Sequence, residues 1–96
     1  MESYKVSTFA GNGERGGVDG HRLSSSFNYP NGICMDKQGA IYVADAGNKT
    51  IRVIRGDQVT TLITNDEVGL GSPFELCFGK DGNLYFTDNY NMSSVR

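Results

Sequence analysis

Two Asp-x-x-Asn segments, Asp45–Asn48 and Asp88–Asn91, each place a carboxylate three residues ahead of a carboxamide. Oxygen donors of this kind hold hard cations. A carboxylate in a turn equally accepts backbone N–H groups, as Asx residues commonly do. The architectural use is the expectation, because the feature occurs in both copies of a repeat; a metal site is the alternative for Asp45 and Asp88. At the hairpin turns Asp36–Gly39 and Gly79–Gly82 an EF-hand loop would need acidic or amide ligands at alternate positions and a closing glutamate, and those are absent. His21 is the only histidine, too few for a zinc site or a Ser-His-Asp relay within one chain. Gly11-Asn12-Gly13 has the composition of a phosphate loop, but such a loop opens a helix after a strand, and no helical pattern follows. Cys34 and Cys77 occupy the same position in two repeats. Packed sheets lie about 10 Å apart, beyond the span of a disulfide, so both are expected to be unpaired, small core residues. No catalytic residue, metal ligand or cofactor is assigned.

The elements that position these groups are short strands. Ile33–Asp36, Ala40–Asp45 and Thr50–Ile54 are rich in Ile, Val and Tyr, which a pleated, packed surface favours. Gly39 closes the first turn and Gly47-Asn48 the second, both suited to positive φ. The pattern Pro30…Cys34…Lys37…Gly39…Tyr42…Asp45…Asn48 returns 43 residues later as Pro73…Cys77…Lys80…Gly82…Tyr85…Asp88…Asn91. A period of roughly 40–45 residues with several strands per unit is the mark of propeller blades. Lys80-Asp81-Gly82-Asn83 is a hairpin turn. Tyr4–Ala10 alternates as a strand, and Gln58–Thr64 is its counterpart in the next unit.

The fold expected is therefore all-β, with blades of four antiparallel strands. There are two blades per chain, one of them split between the termini. Residues 1–10 supply a D strand, 11–29 a long glycine-rich loop with a helical turn at Leu23–Ser26, 30–64 the first full blade, and 73–96 strands A, B and C of the second. Tyr42 and Tyr85 should be buried in middle strands. Arg52 and Arg96, on third strands, should lie along a blade edge or pair with a neighbour. Ile33 and Met35 point opposite to Cys34, and Ile41 and Val43 opposite to Tyr42, so each blade is apolar on both faces.

Phe27–Ile54 resembles an NHL repeat. The residues that carry the likeness are Pro30, Gly32, Ile33, Gly39, Tyr42, Val43, Ala44, Asp45, Asn48, Ile51 and Arg52. The segment Val6–Gly11, with Asp19-Gly20 and Leu23 through Asn28, looks like the family's preceding strand and loop. The second unit departs from the pattern: Glu75 replaces the glycine, and one extra residue falls within Met92–Ser94 before Val95-Arg96. The resemblance implies a ring of six blades. Three chains would close it as a homotrimer, with Val6–Ala10 of one chain completing the second blade of the next; the alternative is that the chain is a piece of a longer propeller. Family members include metal-assisted lactonases, a lyase acting on peptidyl-hydroxyglycine and RNA-binding modules, which are the alternatives to a non-enzymatic protein-binding scaffold.

Composition narrows these classes. Apolar residues make up 38%, glycine occurs 13 times and tryptophan is absent, as in a turn-rich β protein. A net charge of −2 offers no basic stripe, so nucleic acid is disfavoured as a partner. No apolar run approaches the roughly 18 residues of a membrane helix. The first residues lack a signal-peptide core, so a cytoplasmic location is the expectation. A protein partner is expected on the face shared by the D–A and B–C connections. From the long loop and the residues just after it that face would present Arg15, His21, Arg22, Tyr29 and Asn31. From the turns and the second unit it would present Asn48, Lys49, Phe74, Glu75, Asn89 and Tyr90. Exposed aromatics interleaved with charges are the composition of a contact surface.

Overall fold

The computed structural model describes residues 7–64, 73–88 and 94–95. Eight strands follow one another: β1 Gly20–His21, β2 Pro30–Met35, β3 Ile41–Asp45, β4 Thr50–Arg55, β5 Gln58–Ile63, β6 Pro73–Phe78, β7 Leu84–Asp88 and β8 Ser94–Val95. A five-stranded sheet has the order β1-β5-β4-β3-β2, and a three-stranded sheet the order β6-β7-β8. All pairings are antiparallel. Strands β2 to β5 are four consecutive antiparallel strands within the five-stranded sheet, and β6 to β8 repeat the order of the first three.

The repeat extends to the register. Ile33, Cys34 and Met35 face Val43, Tyr42 and Ile41 across β2 and β3. Leu76, Cys77 and Phe78 face Phe86, Tyr85 and Leu84 across β6 and β7. Each pairing shifts register between the opening proline and the fourth strand residue. Proline donates no backbone N–H and is tolerated at the start of a strand or at such an irregularity.

Strict alternation divides the first sheet into two apolar faces. Ala40, Tyr42 and Val53 turn towards the second sheet, where Cys34, Leu76, Phe78 and Leu84 pack on them. The Tyr42 and Phe78 rings meet edge to face with centroids 5.0 Å apart. Phe86 continues this seam against Ile51. On the reverse face Val43, Ile54 and Val59 cluster with Ala10, Phe27 and Ile41. Burying each such aliphatic side chain contributes about 1.5–3 kcal/mol.

Several expectations are revised. Tyr42 is buried, but its counterpart Tyr85 is 37% exposed, because it lies on the face of the second sheet turned away from the first. Cys34 is half-buried at the seam, Cys77 is exposed rather than in the core, and both are free thiols. Residues 7–10 form no strand, although Tyr4–Ala10 alternates like one; residues 1–6 lie outside those described. The Ser24 and Ser25 N–H groups donate to the His21 carbonyl, which makes a single turn over residues 21–25, two residues ahead of the helical turn expected at Leu23–Ser26. The bend at Ala46–Asn48 is a 3-10 turn, and the positive φ there belongs to Lys49 at 55°, not to Gly47. Gly39 and Gly82 do take positive φ, at 88° and 83°.

Candidate functional site

The best-defined polar site lies where the 11–29 loop meets the start of β4. Asp45 ends β3 and is fully buried. One of its oxygens, Oδ1, accepts the Asn28 backbone N–H at 2.7 Å. The other, Oδ2, accepts from Asn48 Nδ2 at 2.6 Å and from Arg52 Nη1 at 2.8 Å. Arg52 is 1% exposed although it sits between Ile51 and Val53. A charge in that position must be paired or it would not be buried. Its Nη2 and Nε donate to Asp19 Oδ1 at 2.8 and 3.1 Å, and its Nη1 and Nη2 donate to the Ser26 and Val18 carbonyls. The guanidinium also stacks over the Phe27 ring, 4.6 Å from its centroid. Asp19 in turn accepts from the Thr61 hydroxyl.

This network fastens the long loop along the sheet. Asn48 Nδ2 also donates to the Gly16 carbonyl, and Gly47 N–H to the Asn28 carbonyl at 2.8 Å. A Cβ at Gly47 would stand 2.6 Å from that same backbone oxygen. Glycine is therefore required by the close approach of two backbones. Both oxygens of Asp45 accept hydrogen bonds from within the chain, the use expected of an Asx carboxylate in a turn. The Asp88 side chain lies outside the described residues. Among the described residues no three or more His, Cys, Asp or Glu gather as a metal cluster would require.

A second carboxylate constellation serves the hairpins. Asp36 Oδ1 accepts from the Gln38 and Ala40 N–H groups, and Oδ2 from the Tyr42 hydroxyl at 3.2 Å. Partial desolvation pushes the Asp36 pKa up, but the Ala40 N–H, the Tyr42 hydroxyl, the Gln38 N–H and the Arg55 charge together hold it below the ordinary value. Tyr42 is raised, first by desolvation and then by its bond to Asp36. In the second hairpin Gly79 stands where Asp36 stood, and the acceptor moves to Asp81, which takes the Tyr85 hydroxyl at 2.7 Å. That bond, with the Asn83 N–H, lowers the Asp81 pKa. The two hairpins thus tie down the same tyrosine from different positions.

The surface expected to bind a partner is divided. Arg15, Tyr29, Asn31 and Lys49 are exposed and lie at the end of the sheet formed by the β3–β4 turn and the chain leading into β2. Glu75, also exposed, stands near the corresponding start of β6. Asn48 shares this end but is consumed by the Asp45 network. His21 and Arg22 sit elsewhere. His21 pairs with Gln58, and Arg22 forms an ion pair with Asp57 at 3.2 Å in the β4–β5 turn, at the opposite end of β4. Arg22 also donates to the Phe9 carbonyl at 2.6 Å and stacks on that ring. Asn89, Tyr90 and the Phe74 side chain lie outside the described residues.

At the first end, Tyr29 projects with 66% of its surface exposed and a left-handed φ of 52°. Arg15 covers it, its guanidinium 4.9 Å from the ring centroid and its Nη2 donating to the hydroxyl at 3.1 Å. Sequence reasoning named both residues without foreseeing their pairing. It missed Asp19 and named no particular partner for Arg52; the available signal was a guanidinium set inside an otherwise apolar strand.

A complete four-stranded antiparallel unit, followed by a second that repeats its register, defines an all-β repeat protein. Residues 27–54, the segment that carries Asp45, Asn48 and Arg52, match the family model of the NHL repeat. One repeat is detected in this way. No curated protein matches the chain.

Proposed function

We propose that this chain is a non-enzymatic propeller module that binds a protein through the end of the sheet bearing Arg15, Tyr29, Asn31 and Lys49. The observation that supports this reading is the Arg15–Tyr29 pair. Together the two side chains present an aromatic face and a guanidinium that are already oriented by their mutual contact. Preorganised aromatic and Arg side chains are the groups that most often dominate binding energy. The β3–β4 turn beneath them is made rigid by the buried Asp45 network, so little ordering cost remains on binding. Asp45, the natural candidate for chemistry at this end, has both oxygens engaged by Asn28, Asn48 and Arg52, which favours binding over catalysis.

The test compares immobilised wild-type protein with Arg15→Ala and Tyr29→Ala. Truncating a hot-spot residue costs about 2 kcal/mol or more. A protein retained by the wild type should therefore be lost by both variants, while their melting temperatures stay near that of the wild type because both side chains are exposed. Retention of the same proteins by all three, or retention of RNA in their place, refutes the reading.

A further inference from the structure

Among the described residues two faces of the sheets expose apolar side chains, and they are copies of the two faces that already pack together inside the chain. The internal seam joins the Cys34–Tyr42 face of the first sheet to the Leu76–Phe78–Leu84–Phe86 face of the second. In the shared register, Leu76, Phe78, Leu84 and Phe86 correspond to Ile33, Met35, Ile41 and Val43, and Cys34 and Tyr42 correspond to Cys77 and Tyr85. On the first sheet, Ile33 is 66% and Met35 61% exposed. Beside them an apolar groove has Val43 and Ile54, themselves buried, at its floor and Phe9, Ala10 and Phe27 along its far side. On the second sheet, Cys77 is exposed and Tyr85 is 37% exposed.

We infer that copies of this chain associate head to tail, the Cys77–Tyr85 face of one seated on the Ile33–Met35–Ile41–Val43 face of the next. The occupant is set by the seam itself, since within one chain a face of the first kind is already covered by a face of the second kind in matching register. In the new contact Tyr85 meets Met35, as Tyr42 meets Phe78 inside the chain. A thioether against an aromatic ring is a favourable replacement for the edge-to-face pair. Covering Ile33 and Met35 also removes an apolar surface that would otherwise favour nonspecific association. Because the two faces differ, the contact is heterologous. It grows from copy to copy until rotation closes a ring, or continues as a filament.

Mass measurement by light scattering behind a sizing column, with two single variants, provides the test. Ile33→Glu blocks one face and Cys77→Glu the other, and both side chains are exposed, so circular dichroism should show native folds. Wild-type protein should elute as a multiple of three or more of the 10.4 kDa chain. Each variant alone should be monomeric. An equimolar mixture of the two should form a dimer and nothing larger, since only one intact pair of faces remains. Should Cys77→Glu fail to fold, Tyr85→Ala takes its place. A monomeric wild type, an assembly that survives either variant, a two-fold dimer, or a mixture that stays monomeric overturns the inference.

Discussion

Replacing Arg52 with methionine keeps most of the apolar stem and deletes the guanidinium. In the wild type that group makes five hydrogen bonds, to Asp45, Asp19, Ser26 and Val18. Its two carboxylate partners are unequal. Asp45 is completely buried, whereas the Asp19 side chain is 45% exposed. A solvent-exposed pair is worth roughly 0–1 kcal/mol, while removing one partner of a buried pair costs about 3–5 kcal/mol because the other charge is stranded. Arg52→Met should therefore cost about 3–5 kcal/mol, and Asp19→Ala distinctly less, because Asp45 still neutralises the buried guanidinium. For a domain of this size each kcal/mol lowers the melting temperature by roughly 4–8 °C, so the two variants should separate clearly. Urea unfolding followed by circular dichroism measures both. The same variant should expose the loop to trypsin at Arg15 and Arg22, because the ties to Val18, Ser26 and Asp19 are lost together. A penalty below about 1 kcal/mol for Arg52→Met, or equal penalties for the two variants, would show that the Asp45–Arg52 pair does not hold the loop.

The two tyrosines of the repeat should behave differently. Tyr42→Ala should cost about 3–5 kcal/mol, the usual loss for a buried aromatic, and Tyr85→Ala distinctly less; equal losses in chemical unfolding would contradict the one-sided seam. Asp36 has a folded-state pKa below its ordinary value, so the stability it contributes is present above pH 3.8 and is lost as pH falls through the lower folded value. Asp36→Asn should flatten that part of the acid-unfolding profile and leave stability less dependent on pH there, and an unaltered profile would show that the Tyr42 and Ala40 bonds do not persist in solution. Tyr42 has the opposite sense: its pKa is raised, so its contribution is complete below pH 10.0 and declines as pH rises through the folded value.

What could be read from the chain alone was local or periodic. Alternation of Ile41, Tyr42 and Val43 specifies a strand with two distinct faces, because successive side chains point to opposite sides. The 43-residue recurrence fixes the second hairpin in the register of the first. Gly39 and Gly82 were legible because a tight hairpin needs φ > 0 and glycine adopts it without strain. The partners of Arg52 were not. Asp19, Ser26 and Val18 lie 33, 26 and 34 residues away, and nothing in local propensity brings a loop carbonyl to a particular guanidinium. Gly47 looked like a positive-φ turn residue and proved to be a site of backbone contact with Asn28, a constraint that exists only once the loop has folded back. His21 and Arg22 belong to the same sequence segment as Arg15 and Tyr29. The loop's descent along β5, through the pairing of Gly20 with Val59, carries them to the other end of the sheet. Tyr42 and Tyr85 occupy one sequence position in two repeats, and only the stacking of one sheet on the other decides which is buried.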